Sequence, residues 1–249
     1  MMATSINIPV EVVDNLKSSQ FVAVLTGAGI SAESGVPTFR DAQTGLWAKY
    51  DPLQLANPEA FQNNPQLIWD WYLWRRELIS GSQPNPGHLA LVDLEAFYPE
   101  FTLITQNVDG LHQSAGSRGV IELHGNIFRT KCSRDGRIIS DPRGPSGSVP
   151  LCPECSSYLR PDVVWFGENL SADTLKTALE AARSCEVFIS IGTSTLVEPS
   201  ASLPFFALDN GATVLEINPR STPLTQRASF SIRGNAGEIL PALADEIIN

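Results

Sequence analysis

The feature that most restricts the fold of this chain is a glycine turn set directly behind a short apolar run. Residues 21–25, Phe-Val-Ala-Val-Leu, carry no polar side chain. A strand covered on both faces reads this way, so the run predicts a parallel strand inside an α/β sheet. Thr26 follows, then Gly27-Ala28-Gly29-Ile30-Ser31-Ala32. Glycines at such a turn permit a tight bend and close backbone approach, which suits a dinucleotide phosphate site. Ala32 stands where a third glycine often stands, as the looser form of the pattern allows. A glycine turn with no ligand has the same local sequence.

The next residues are less ordinary. Ser34-Gly35-Val36-Pro37 ends any helix early, and Phe39-Arg40-Asp41 sets an aromatic ring and a fixed cation near the turn. An ordinary dinucleotide site instead carries an acid about twenty residues on, after a second strand. An aromatic–cation pair suggests a cover over the bound group. Taken together, Gly27-Ala28-Gly29-Ile30-Ser31 and Gly35-Val36-Pro37-Thr38-Phe39-Arg40 resemble the signature of the sirtuins, the NAD-dependent protein-lysine deacylases.

Composition sets outer limits. The 249 residues are 43% hydrophobic and 18% charged, enough for a sizeable core in one large domain or one domain with an insertion. A net charge of -10 argues against nucleic-acid binding through a basic face. No apolar run is long enough to span a membrane. The first ten residues lack the basic-then-apolar order of a secretory signal, so a cytoplasmic protein is the expectation. Of four cysteines, Cys132, Cys152 and Cys155 cluster, which favours a metal site over a disulfide framework.

Apolar spacing predicts helices over residues 9–19, 65–79, 88–97, 171–184 and 237–248. Strands are expected at 101–105, 120–126, 186–191 and 213–217. Leu67, Ile68, Trp71, Leu78 and Ile79 are available for packing on the second helix, and Trp69 and Trp74 also read as core. His88, behind Asn85-Pro86-Gly87, reads as a capping or structural histidine, and Cys185 as a core cysteine.

Several polar residues stand where chemistry is expected. The strand at 101–105 runs into Gln106-Asn107-Val108-Asp109. Residues just past a strand's carboxyl end face the ligand crevice of an open α/β sheet. There an amide and a carboxylate can recognise a carboxamide and ribose hydroxyls, although Asp109 also suits a helix cap. His124 ends the strand at 120–126 beside Gly125 and is the best candidate general base of three histidines. Tyr72 and Arg75 are three apart and share a helix face, a geometry that can receive a carboxylate, although the residues alone favour a surface arginine packed along its helix. Val163-Val164-Trp165-Phe166 can either pair with an extended peptide or form a buried strand.

Cys132 and Cys152-Pro153-Glu154-Cys155 bracket a Gly-, Pro- and Ser-rich segment with no core of its own, which calls for a staple such as zinc. Asp135 stands three after Cys132, where a second Cys-x-x-Cys pair would have its partner. Asp135 as fourth ligand, a water or other side chain in that place, and a segment without metal all remain open.

The sirtuin resemblance spans nearly the whole chain, with motifs in the family's order. It implies a doubly wound, Rossmann-like parallel sheet for residues 1–36, 85–126 and 161–249. A helical insertion at 37–84 and a zinc module at 127–160 would form a smaller domain. It implies NAD contacts from Gly27, Ala28, Gly29, Ser31, Phe39, Arg40, Trp47, Gln106, Asn107, Asp109, Gly192, Thr193, Ser194, Asn218 and Ala236. His124 and Asn107 would be catalytic. Val164, Phe166, Gly167 and Val197 would touch the acyl-lysine peptide, and Tyr72 and Arg75 an acidic acyl group such as succinyl. One structural zinc would sit on the three cysteines. The implied reaction begins with attack of the acyl oxygen on the ribose carbon that loses nicotinamide. It ends in free lysine and O-acyl-ADP-ribose. ADP-ribosyl transfer to protein, and an NAD-sensing module without catalysis, are the rival readings. The implied partners are acyl-lysine proteins, not nucleic acid or membrane.

Overall fold

A computed structural model describes residues 8–37, 51–140 and 147–249. Helix α1 (Val10–Ser18) leads into strand β1 (Phe21–Thr26), and α2 (Ala28–Ser31) follows as a single turn. A 3-10 turn over Ala32–Ser34 continues it and Gly35, at φ 79°, ends it, the early stop expected from Ser34-Gly35-Val36-Pro37. Helices α3 (Pro52–Leu55), α4 (Pro58–Asn63) and α5 (Pro65–Ser80) come next. Asn57 and Asn64 cap α4 and α5 by accepting from the Ala60 and Leu67 amides, with Pro in each first turn.

Helix α6 (Pro86–Phe97) begins two residues before the expected start, because Asn85 and His88 form a reciprocal capping box. His88 is therefore structural, as expected. The chain continues through β2 (Glu100–Thr105), α7 (Leu111–Ala115), β3 (Ile121–Glu122), β4 (Gly125–Cys132), β5 (Leu159–Val163) and α8 (Ala172–Ser184). It closes with β6 (Val187–Ile191), α9 (Leu203–Asp209), β7 (Thr213–Ile217), β8 (Phe230–Ile232) and α10 (Ala236–Ile248).

Six strands form one sheet in the order β3-β2-β1-β6-β7-β8, and every pairing is parallel. The pleat sends alternate residues to opposite faces. Val22, Val24 and Ile189 enter one core with α1, α6 and α10. Ala23, Leu25 and Phe188 enter a second with α8 and α9. Helices on both faces explain why the central strands read as mostly apolar runs, without strict alternation. Cys185 lies in the second core, as expected.

A third core lies away from the sheet. It joins Val36, α3, α4 and α5 to Ile127, Val149, Val163 and Trp165 on and around the antiparallel pair β4–β5. Trp69 and Trp71 are buried there and Trp74 packs against it. Leu78 differs from its expected packing role: it is 44% exposed.

The run at 120–126 is not one strand. β3 stops at Glu122, Leu123 and His124 form a turn, and β4 starts at Gly125 in the other sheet. Gly125 has φ 81°, and a Cβ there would stand 2.1 Å from the Asp162 carbonyl oxygen. Only glycine fits, and it redirects the chain.

Phe188 is fully buried between β1, β7 and the α8–α9 layer. Phe188→Ala is expected to lower stability by about 3–5 kcal/mol, the range for emptying such a site. Chemical denaturation followed by tryptophan fluorescence measures it, and a loss below about 1 kcal/mol contradicts this packing.

Candidate active site

The carboxyl ends of β1, β2, β6 and β7 meet at one rim, where open α/β sheets bind ligands. Gly27 N–H donates to Ile191 O at 2.9 Å, Gly29 N–H to Gly192 O at 2.9 Å, and Gly192 N–H to Ile217 O at 3.0 Å. A Cβ on Gly29 would stand 2.6 Å from the Gly192 Cα, and one on Gly27 2.9 Å from the Thr193 Cα. These glycines are thus required by contact between two loops of the protein itself. Ala28 lies between them in α2. Asn218 ties in the third loop: its amide donates to Thr193 O at 2.7 Å and its oxygen accepts from Arg220 N. Ser194 is half-buried beside Thr193. Ala236 is 4% exposed at the start of α10, its carbonyl packed on Gly87. Phe39, Arg40 and Trp47 lie outside the described residues.

Behind the rim runs a buried polar chain. The Asn107 amide donates to Gly27 O and to Ser31 Oγ, both at 3.1 Å. Ser31 Oγ donates to Asp109 at 2.7 Å, and Asp109 accepts from the Leu111 amide at 2.9 Å. Asp109 is not the helix cap: Gly110 occupies that position, and Asp109, one residue earlier, closes a two-residue turn onto Leu111. Burial raises its pKa, against the lowering effect of these hydrogen bonds. With both amide hydrogens of Asn107 engaged, its side-chain oxygen is the atom left to accept from a ligand.

His124 is half-buried in the turn between the two sheets. Its Nδ1 lies 2.9 Å from Gln106 O. A carbonyl only accepts, so Nδ1 carries the proton and Nε2 is the basic nitrogen. Burial pushes the imidazole below its ordinary 6.5, and the Gln106 carbonyl opposes that shift. Val164 N–H donates to His124 O and Phe166 N–H to Ala56 O, both at 2.9 Å. Phe166 and Val197 are 43% and 37% exposed, and Gly167 adopts φ 86°. Tyr72 is buried and accepts from Trp165 Nε1–H at 2.8 Å. Arg75, one turn on, has its guanidinium 5.1 Å from the Trp71 ring centroid.

Two groups escaped the sequence reading. Thr26 Oγ1 bonds Thr105 Oγ1 and His112 Nε2, both at 2.8 Å, directly beneath Asn107, whose backbone N–H donates to Thr105 Oγ1. Glu216, 1% exposed, accepts from Thr222, Thr225 and Ser231 and pairs with Arg233, pinning the loop after β7. A polar residue ending or interrupting an apolar strand was the available signal for both.

The thiols of Cys132, Cys152 and Cys155 lie within 4.8 Å of one another. Three converging sulfurs fit one tetrahedral metal of zinc type. Among the described residues Asp135 does not join this donor group. Its carboxylate pairs with Arg137 at 2.7 Å, which holds its pKa down near 2.

These features define a class: a doubly wound α/β protein with a ligand crevice at the strand ends and a smaller thiol-bearing body beside it. The Sir2 family model matches residues 27–199, and the chain belongs to that family. An NAD-dependent protein deacylase of Aquifex aeolicus (strain VF5) is 51% identical over 225 residues, 90% of this chain and 94% of that one. The solved structure of a Sir2 homologue complexed with NAD has a TM-score of 0.91 at 43% identity, covering 97% of this chain and 94% of that one. A Sir2 protein bound to an acetylated peptide has a TM-score of 0.85 at 32% identity, covering 95% and 97%.

Purified protein is expected to carry about one zinc per chain by elemental analysis, and Cys152→Ser to lose most of it together with thermal stability. Full zinc content in that variant would contradict the three-thiol site.

Proposed function

We propose that this chain is an NAD-dependent protein-lysine deacylase that removes acetyl groups and, through Tyr72 and Arg75, acidic acyl groups such as succinyl and malonyl. The observation that carries the reading is His124. Its protonated Nδ1 is held on Gln106 O, which leaves Nε2 as the basic nitrogen, and its carbonyl accepts from Val164 N–H, so the residue joins the polar rim to the segment 163–167. The proposed division follows that joint. The NAD-binding part comprises residues 1–36, 85–126 and 161–249, and the smaller part residues 37–84 and 127–160.

NAD, when bound, supplies the ribose carbon at which nicotinamide is exchanged for the acyl oxygen. The chain's own residues do the rest. Gly27, Ala28, Gly29 and Ser31 line the pyrophosphate side; Phe39, Arg40 and Trp47, outside the described residues, are assigned to the cofactor by the family's motif alone. Gly192, Thr193, Ser194, Asn218 and Ala236 receive the adenosine. Gln106, Asn107 and Asp109 hold the nicotinamide ribose, Asn107 through its remaining oxygen. His124 Nε2 would accept a proton from a hydroxyl presented beside it, the role of a general base. Val164, Phe166, Gly167 and Val197 hold the peptide. Zinc on the three cysteines fastens the smaller body and takes no part in the reaction.

Paired acetyl- and succinyl-lysine peptides, with O-acyl-ADP-ribose followed by mass spectrometry, test the reading. Both products are expected. NAD binding without either product would favour the sensing module, and ADP-ribosylated protein without O-acyl-ADP-ribose would favour the transferase. Arg75→Met is expected to lower kcat/KM on succinyl-lysine about tenfold or more, the scale of a charged hydrogen bond, and to spare acetyl-lysine. Equal losses contradict the carboxylate role.

A pH profile follows from His124. The working base is the neutral imidazole, and its pKa is depressed, so the base form prevails at pH 7. Activity should be flat above neutrality and fall only below about pH 6.5. An acid limb centred above pH 7 would contradict the assignment.

A further inference from the structure

Trp165 stands between two residues that face the opposite way. Val164 is half-buried and Phe166 exposed, while Trp165 is 2% exposed and turned into the third core. Its indole N–H, which can only donate, gives its hydrogen to Tyr72 Oη at 2.8 Å. The two rings lie near parallel, 29° apart, with centroids at 6.3 Å.

That bond fixes the role of the phenol. A tyrosine hydroxyl has one proton to give, and here its oxygen already accepts. No acceptor for the Tyr72 proton occurs among the described residues. Donation into the oxygen also polarises the O–H and strengthens the bond it makes outward. Arg75 follows three residues later on the same helix, so a neutral donor and a fixed cation share one face.

Trp165 is itself held from behind. The Arg160 guanidinium lies 3.3 Å from its ring centroid, and both Glu168 oxygens bind Arg160, at 2.5 and 2.8 Å. Glu168 also accepts from the Trp165 backbone N–H at 2.8 Å, and Arg160 donates to Val163 O at 2.7 Å. The indole cannot swing away without breaking this clamp.

We propose that Trp165 is a positioning residue for acyl selectivity: by donating to the Tyr72 oxygen it commits the phenol proton to the carboxylate of a dicarboxylic acyl chain gripped by Arg75. This rests on the acyl preference proposed above. Trp165 touches no reacting atom and acts through Tyr72.

Trp165→Phe keeps an aromatic ring beneath Arg160 and removes the donor. It is expected to lower kcat/KM on succinyl-lysine about threefold to tenfold, mainly by raising KM, the scale of one neutral hydrogen bond. Acetyl-lysine should change less than about twofold. Tyr72→Phe should cost less on succinyl-lysine in the Trp165→Phe background than alone, since the two share one interaction. If Trp165→Phe fails to fold, 3-benzothienylalanine at position 165 replaces only the N–H by sulfur and gives the same readout. Equal losses on both peptides would make Trp165 mere packing and overturn the inference. So would a succinyl-lysine KM left unchanged by Trp165→Phe when the wild type prefers succinyl. A wild type that removes acetyl but not succinyl groups would overturn the acyl preference and this inference together.

Discussion

The crevice depends on contact between two bare backbones. The loops after β1 and β6 touch at Gly29 and Gly192, linked by an N–H···O bond of 2.9 Å. Gly192 has φ 59°, and a Cβ on either glycine would stand under 3 Å from the other loop. The parallel pairing of β1 with β6 brings those loops together. Any side chain there would push apart the strand ends and with them the rim that Asn218 and Thr193 complete. Glycine turns after strands are usually read as making room for a ligand. Here they first make room for each other.

Behind that contact Asn107, Ser31, Asp109, Thr105 and Thr26 hydrogen-bond one another in the dry interior, where an unpaired polar group costs about 1–3 kcal/mol. The chain ends at His112, whose Nδ1, like His88 Nε2, has no partner among the described residues. Asn107 binds Gly27 O, so the amide that faces the crevice also locks the first glycine loop. Beneath it, Thr105 and Thr26 carry the chain of hydrogen bonds to His112, whose ring lies 4.9 Å from that of His88. Burial pushes His112 down to about 3 and His88 to about 4, so both stay neutral near pH 7. This network braces the rim without adding charge beneath a site meant for an anionic ligand.

The sheet was legible because both its faces are buried. β1, β6 and β7 are buried on both faces, and runs whose interiors are apolar but for Ser190 and Glu216 leave few alternatives. β8 was missed because Phe-Ser-Ile is too short to show a period, and its place comes from pairing with β7. The three-residue spacing of Tyr72 and Arg75 was legible, but the Trp165 bond to Tyr72 was not, since it joins residues 93 apart. Spacing placed Asp135 beside the thiols but could not show that Arg137, two residues on, would pair with its carboxylate.

The break at Glu122 explains how two bodies can share one histidine. β3 pairs parallel with β2, and β4 pairs antiparallel with β5, so the chain must change sheets between residues 122 and 125. Gly125 permits that change through its positive φ and its contact with Asp162. His124 is thereby fixed from both sides, its ring by Gln106 at the end of β2 and its carbonyl by Val164 after β5. A histidine inside a continuous strand would belong to one sheet alone. In the turn it answers to both, and movement of either body would move the imidazole proposed as the base.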